Sequence, residues 1–302
     1  MKDAISPRDF AEAIGVSESS VKRWIDQGGL GAARTAGGHR RIQRDEALRW
    51  LRETQTPLLR PERLELPEAT ASVTRATSLD SSAERYHALL VSGAEVDARG
   101  LLAGLFIAGH AVSRIADDII RPALARIGTL WEHGDEGIFI EHRATAICIQ
   151  SIRELAVLST PTSPDPEPDP RPVAVGGAPS GDPYLVAPAL AALALTEAGF
   201  QAVNLGPDTP LPVIELAAAR LNARLVCLSF GAAPSERQVR EVSVFAGRLR
   251  QSGIHLSLGG RHVDALHPER LSNAFVGRSL GELSAFARGL AGTLAASRAA
   301  RD

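Results

Sequence analysis

GDPYLVAPALAALALTEAGF, residues 181–200, passes from a Gly/Pro-rich turn straight into a continuous apolar run, and so predicts a loop entering a buried helix. The segments after it alternate in kind. QAVNLG (201–206) reads as a short strand, LPVIELAAARLNA (211–223) has helical periodicity, and RLVCLSFGA (224–232) is an apolar strand ending at Ser229 and Gly231. SERQVREVSVFAGRLRQSG (235–253) is the next helix, and HLSLGG (255–260) is a strand ending in Gly259 and Gly260. Strands alternating with helices of this length predict a parallel sheet covered on both faces. Ligands of such sheets sit beyond the carboxyl ends of the strands, where Ser229 and the glycine pair fall.

The rest of the chain frames that domain. At 302 residues, 44% hydrophobic and 23% charged with a net charge of −2, it has room for two or three cores and an ordinary soluble balance. No run approaches the ~20 apolar residues of a membrane span, and MKDAISPRDF lacks the apolar core of a secretory signal, so a cytoplasmic location is expected. Cys148 and Cys227 lie in apolar segments and form neither a disulfide framework nor a zinc pattern.

The N-terminus predicts nucleic-acid binding. AISPRDFAEAIG (4–15) is a helix started by Ser6 with Pro7 at its first position, and Ser17 caps a second helix after a turn at Gly15. Helix, short turn, helix is the layout in which the second helix enters the major groove, here with Glu18, Ser19, Lys22 and Arg23 outward and Val21, Trp24 and Ile25 inward. RTAGGHRRIQR (34–44) carries four arginines and a histidine with no acid, and its Gly37-Gly38 turn between β-like arms suits a wing on the phosphate backbone. Residues 55–82, rich in Pro, Thr, Ser and charge without sustained period, read as a flexible linker. Four helical segments over 83–157 predict a four-helix bundle, and the proline-rich stretch 158–171 a second linker before the α/β domain of 172–302. On the last bundle helix Glu141, Thr145 and Cys148 share one face, with His142 beside them.

From position 182 onward the chain resembles the cobalamin-binding domain of methionine synthase and its relatives, whose pattern is Asp-x-His-x-x-Gly, then Ser-x-Leu or Thr, then Gly-Gly. Here the pattern reads Asp182-Pro183-Tyr184-Leu185-Val186-Ala187, Ser229-Phe230-Gly231 and Gly259-Gly260, at the family's separations. The resemblance implies a Rossmann-like, flavodoxin-like domain, with Ser229, Gly231 and the glycine pair at the cobalamin tail. Tyr184 stands where the family has its histidine ligand to cobalt, and a neutral phenol is a far poorer ligand than imidazole. No metal ligand is therefore assigned, and no catalytic set.

Residues 1–54 are similar to the winged-helix domain of MerR-type regulators, which assigns Ser19, Lys22 and Arg23 to the recognition helix and Arg34, His39, Arg40 and Arg41 to the wing. The whole arrangement resembles the light-sensing, adenosylcobalamin-dependent repressors of that type. There a bundle Trp, here Trp131, and a Glu-His pair, here Glu141 and His142, cover the upper face of the cofactor. A second family histidine that captures cobalt after illumination is replaced by Glu132. The resemblance implies a multi-domain transcriptional regulator, not an enzyme, that binds an operator in duplex DNA as a homo-oligomer, dimer or tetramer. Three ligand states stay open: cobalamin held through its ring and tail, a metal-free linear tetrapyrrole such as biliverdin touching Tyr184, His142 or Cys148, or no ligand and control by a protein partner.

Overall fold

A computed structural model describes residues 4–73, 77–130, 134–159, 169–271 and 274–299. The chain divides into two compact units, Met1–Pro166 and Glu167–Asp302.

The first unit begins with strand β1 (Ala4–Ile5) and helices α1 (Pro7–Ile14) and α2 (Glu18–Asp26). The Ser6 hydroxyl accepts the Asp9 N–H, Pro7 sits at the start of α1, and Gly15 ends it at φ 72°. The Ser17 hydroxyl likewise accepts the Ser20 N–H at the start of α2. Strands β2 (Ala33–Arg34) and β3 (Arg40–Gln43) follow, and the small sheet runs β1-β3-β2, antiparallel. Helix α3 (Arg44–Thr54) closes this head by stacking Trp50 on Trp24 of α2, 4.9 Å between centroids, and edge-on against Phe10 of α1 at 5.6 Å. Val21 is buried as expected, whereas Trp24 and Ile25 are half-buried.

The bundle comprises α4 (Leu79–Ser92), α5 (Glu95–Ile107), a third rod, and α8 (Gly134–Ser159). The rod is α6 (Val112–Ile115), a π-helical turn (Ala116–Ile120) and α7 (Arg121–Ile127) in series. Pro122 at the start of α7 cannot donate to the preceding turn and crowds its carbonyls, and the wider turn relieves that conflict. Tyr86, Leu90, Leu102, Ile119 and Leu155 are fully buried in this unit.

The flexible linker expected at 55–82 is not what the structure has. Residues 58–73 form a strap with two 3₁₀ turns, Pro61–Leu64 and Glu68–Ser72, that buries Leu58, Leu64 and Leu66. The Leu59 and Arg60 amides both donate to the Ala13 carbonyl at 2.9 Å, and Arg63 pairs with Glu12 at 2.6 Å. On α5, Gly100 and Gly104 make room for the strap: a Cβ at either would lie 2.8 Å from Ala69 or Val73 side-chain carbons. The segment is irregular in sequence because its turns follow neither strand nor helix period, which is why composition alone suggests a free tether. Helix α4 also starts at Leu79, inside the expected linker, and most of the second expected linker, residues 160–168, lies outside the described residues.

The second unit is a five-stranded parallel sheet in the order β5-β4-β6-β7-β8, built from β4 (Val173–Gly177), β5 (Gln201–Asn204), β6 (Leu225–Ser229), β7 (His255–Gly259) and β8 (Ala274–Gly277). Its helices are α9 (Val186–Glu197), α10 (Leu211–Arg220), α11 (Glu236–Gln251) and α12 (Leu280–Ala299). Ile214 of α10 and Phe245 of α11 pack on one face with Val226 and Leu256; Ala191 and Leu195 of α9 and Ala287 of α12 pack on the other with Leu225 and Cys227. Burial on both faces accounts for the unbroken apolar runs. This is the flavodoxin-like strand order, whose topological switch point lies between β4 and β6.

If the strap is structural, Leu64→Ala lowers the stability of the first unit by ~2–4 kcal/mol in urea unfolding, the cost of a core truncation. A free tether would show almost no change.

Candidate functional site

The switch point is organised by Asp182. Its carboxylate is buried, and it accepts three backbone N–H groups: Gly231 at 2.6 Å, Ala232 at 3.0 Å and Tyr184 at 3.1 Å. It thereby ties the loop after β4 to the loop after β6, with the charge satisfied inside the protein. Other contacts hold the same loop. Asp208, at φ 49°, accepts the Gly181 N–H at 2.7 Å and donates its own amide to the Asp182 carbonyl at 2.9 Å, while Gln238 donates to the Ser180 carbonyl at 2.6 Å.

Tyr184 is 54% exposed, and its ring lies against Gly231, where an added Cβ would come within 2.8 Å of it. The carboxylate of Asp182, taken up by backbone donors, supports the turn and not the residue 184 side chain. Ser229 is buried at the end of β6, in register with Gly259 of β7. Gly260 has φ 101°, and a Cβ there would lie 2.5 Å from the Phe230 N and O atoms, so the pair is a close backbone crossing that glycine alone permits.

Gly176, Ser257 and Gly277, which the sequence reading did not single out, join Ser229 and Gly259 along this edge. On the α9/α12 face, its carboxyl end is paved with Gly176, Cys227, Ser229, Ser257, Gly259 and Gly277. A Cβ at Gly176 would meet the Cys227 carbonyl oxygen at 2.8 Å. Ser284 lies on α12 between Leu283 and Ala287, which pack on this face of the sheet; it is fully buried, and its hydroxyl has no hydrogen-bond partner among the described residues. Only alternation along strands whose pairing is known could have exposed this floor of small residues.

On the bundle, Glu141 and His142 are surface groups on α8. Thr145 donates to Glu141 at 3.2 Å, and His142 Nδ1 lies 3.0 Å from the Ile138 carbonyl oxygen. Cys148 does not join them: it is fully buried in the bundle core near Tyr86, and burial pushes its thiol up to about 12. It lies about two turns beyond Glu141 on the same face of α8, at a level where that face is covered by the bundle core, so it is not exposed to a ligand. Cys227 is also held near 12 by burial. Trp131 and Glu132 lie outside the described residues.

On the head, Ser19, Lys22 and Arg23 are exposed along α2, and Arg34 and His39 are exposed on the β2–β3 hairpin. The hairpin turn is closed by the Gly38 amide on the Thr35 carbonyl, 2.8 Å, with Gly38 at φ 77°. Arg40 differs from the expected phosphate contact. Its guanidinium is half-buried and pairs with Asp26 at the end of α2 at 2.6 Å, which fastens the β2–β3 hairpin to α2. Arg41 is half-buried and donates to the Arg40 carbonyl at 3.1 Å.

Comparison with known families places two of these regions. Residues 5–55 match the family described as a helix-turn-helix domain, and residues 82–156 match the family described as a B12 binding domain. Among solved structures, the chain is similar to the monomethylamine corrinoid protein of Methanosarcina barkeri, with TM-score 0.51 and 17% identity over 70% of this chain and 100% of that one. It is also similar to a cobalamin-binding protein from Desulfitobacterium hafniense, with TM-score 0.35 and 16% identity over 69% of this chain and 96% of that one. No curated protein sequence matches. The chain therefore joins a helix-turn-helix domain to a B12-binding domain, the make-up of a ligand-binding DNA regulator. No described helix is long and apolar enough to cross a membrane.

The residues fit such a ligand in part. The small-residue floor, the unpartnered Ser284 hydroxyl and the Gly259-Gly260 crossing suit a tail laid against the sheet. A crevice of about 10 Å³ lies between α9 and the sheet, lined by Gly176, Ala191 and Cys227. Tyr184 offers no nitrogen to a metal. If the glycine crossing is structural, Gly260→Ala lowers the melting temperature of the second unit by ~10 °C or more, since left-handed strain adds to a backbone clash; an unchanged melt contradicts it.

Proposed function

We propose that this protein is a MerR-type, DNA-binding transcriptional repressor whose self-association, and through it operator binding, is controlled by a cobalamin-type tetrapyrrole and by light. The observation that carries this reading is the Asp182-bracketed carboxyl edge of the sheet, with its small-residue floor, in a chain that also bears an exposed basic helix-turn-helix. Lys22, Arg23 and Arg34 supply phosphate affinity, with Ser19 and His39 as short polar contacts. Arg40 orients the wing through Asp26, and Arg41 flanks it. In the second unit Ser229, Gly231, Gly259, Gly260 and Ser284 bind the tail, while Asp182 keeps the Tyr184 loop in place. Glu141 and His142, with Trp131, are the ligand contacts proposed for the bundle. Adenosylcobalamin, when bound, supplies a light-labile bond between cobalt and carbon. Two or more heads held in one oligomer gain affinity through effective concentration, so a ligand that dissolves the oligomer releases DNA without touching α2.

Tyr184 supports a second reading of the ligand. With no imidazole at that position, a metal-free linear tetrapyrrole such as biliverdin loses nothing that cobalamin would miss, and the exposed phenol is free to contact it.

The test is the absorption spectrum of the protein after incubation with adenosylcobalamin or biliverdin, passed through a sizing column in darkness and after illumination. Cobalamin bands that co-elute and change with light are expected, and Tyr184→His should convert them to a histidine-ligated spectrum. Bands with biliverdin alone favour the second reading. Bands with neither overturn the proposal and leave control by a protein partner.

A further inference from the structure

The strap joins the bundle to α1, yet α2 carries the DNA-reading face. A separate line of contacts reaches α2. Arg52 of α3 donates to the Phe106 carbonyl in the last turn of α5 and to the His110 carbonyl in the connection beyond it, and its guanidinium carbon lies 3.7 Å from the centroid of the Phe106 ring. The Phe106 carbonyl lies where a helix runs out of its own N–H donors and carries partial negative charge, the setting in which a planar cation that also stacks is most favourable. Trp50 lies two residues before Arg52, about 200° around the same helix. Its ring is the one stacked on Trp24 of the recognition helix at 4.9 Å. Helix α3 is thus gripped on opposite sides, by the end of a bundle helix and by the recognition helix.

We propose that Arg52 is a positioning residue: through α3 and the Trp50–Trp24 stack it couples the end of α5 to the orientation of α2. What this coupling serves rests on the regulatory reading above, to which it adds a direct effect of the bundle on α2 beside the effect through assembly. The physical coupling does not depend on that reading, and it is testable without ligand or DNA. A contiguous path is only geometry until a perturbation at one end is felt at the other. Gly104, two residues before Phe106, provides the perturbation, since a methyl group there would meet Val73 carbons at 2.8 Å and the Thr70 carbonyl at 2.9 Å.

The experiment is hydrogen exchange, read by mass spectrometry, on the full chain and on Arg52→Gln, Arg52→Lys, Gly104→Ala and the Arg52→Gln/Gly104→Ala pair. Exchange of the α2 amides is expected to rise about tenfold in Arg52→Gln, the scale of a lost charge-assisted hydrogen bond, with those of β6 unchanged. Arg52→Lys keeps the charge and loses the flat stack, so it should fall between the two. Gly104→Ala should speed α2 exchange about threefold in the native background and distinctly less when Arg52 is already glutamine, the remainder passing through the strap and α1. Equal effects of Gly104→Ala in both backgrounds overturn the proposal. So does a uniform rise across the first unit in Arg52→Gln, which would make Arg52 merely structural. Loss of ligand binding, by contrast, would leave all these exchange results standing and remove only their regulatory purpose.

Discussion

The buried carboxylate of Asp182 is the contact on which the second unit's candidate site depends. An ionised carboxylate away from water is costly unless its lone pairs are taken up, and three backbone amides take them up here, two of them from the loop across the switch point. That requirement fixes where the two loops meet. It also brings Gly231 beneath the Tyr184 ring, since the amide that binds Asp182 belongs to the residue the ring covers. A side chain at 184 is therefore presented by a turn that is held independently of it.

The first unit is governed by a different constraint, the close approach of the strap to α5. Two glycines one helical turn apart allow it, and the strap in turn joins α1 to the bundle through the Ala13 carbonyl and the Glu12–Arg63 pair. The DNA-binding head is consequently part of one packed unit with the bundle. Fixing the strap costs chain entropy, and the burial of Leu58, Leu64 and Leu66 offsets it.

Much of this was legible in the sequence because it rests on local chemistry. Ser6-Pro7 and Ser17 announce the starts of α1 and α2 through the side-chain oxygen each places on the first turn. The alternation of apolar runs and helical periods gave the parallel sheet, and Gly259-Gly260 marked the crossing with Phe230. What was not legible depends on partners distant in the chain. The strap has no period of its own, and the floor of Gly176, Ser257 and Gly277 emerges only from strand order. Arg40 looks like any other arginine of a basic run until Asp26 is found beside it. Cys148 shares a helical face with Glu141 on paper, but that face turns into the core along α8. In each case the deciding contact lies beyond the window in which sequence spacing carries information.

The most direct test of the account is the affinity of the full chain for a duplex selected by the protein itself, measured across a salt series with and without adenosylcobalamin, in darkness and after illumination. The account predicts an affinity that differs at least about tenfold between ligand and light states, with a shallower salt dependence in the state whose heads are no longer held together. Equal affinity in every state, with ligand demonstrably bound, would contradict it.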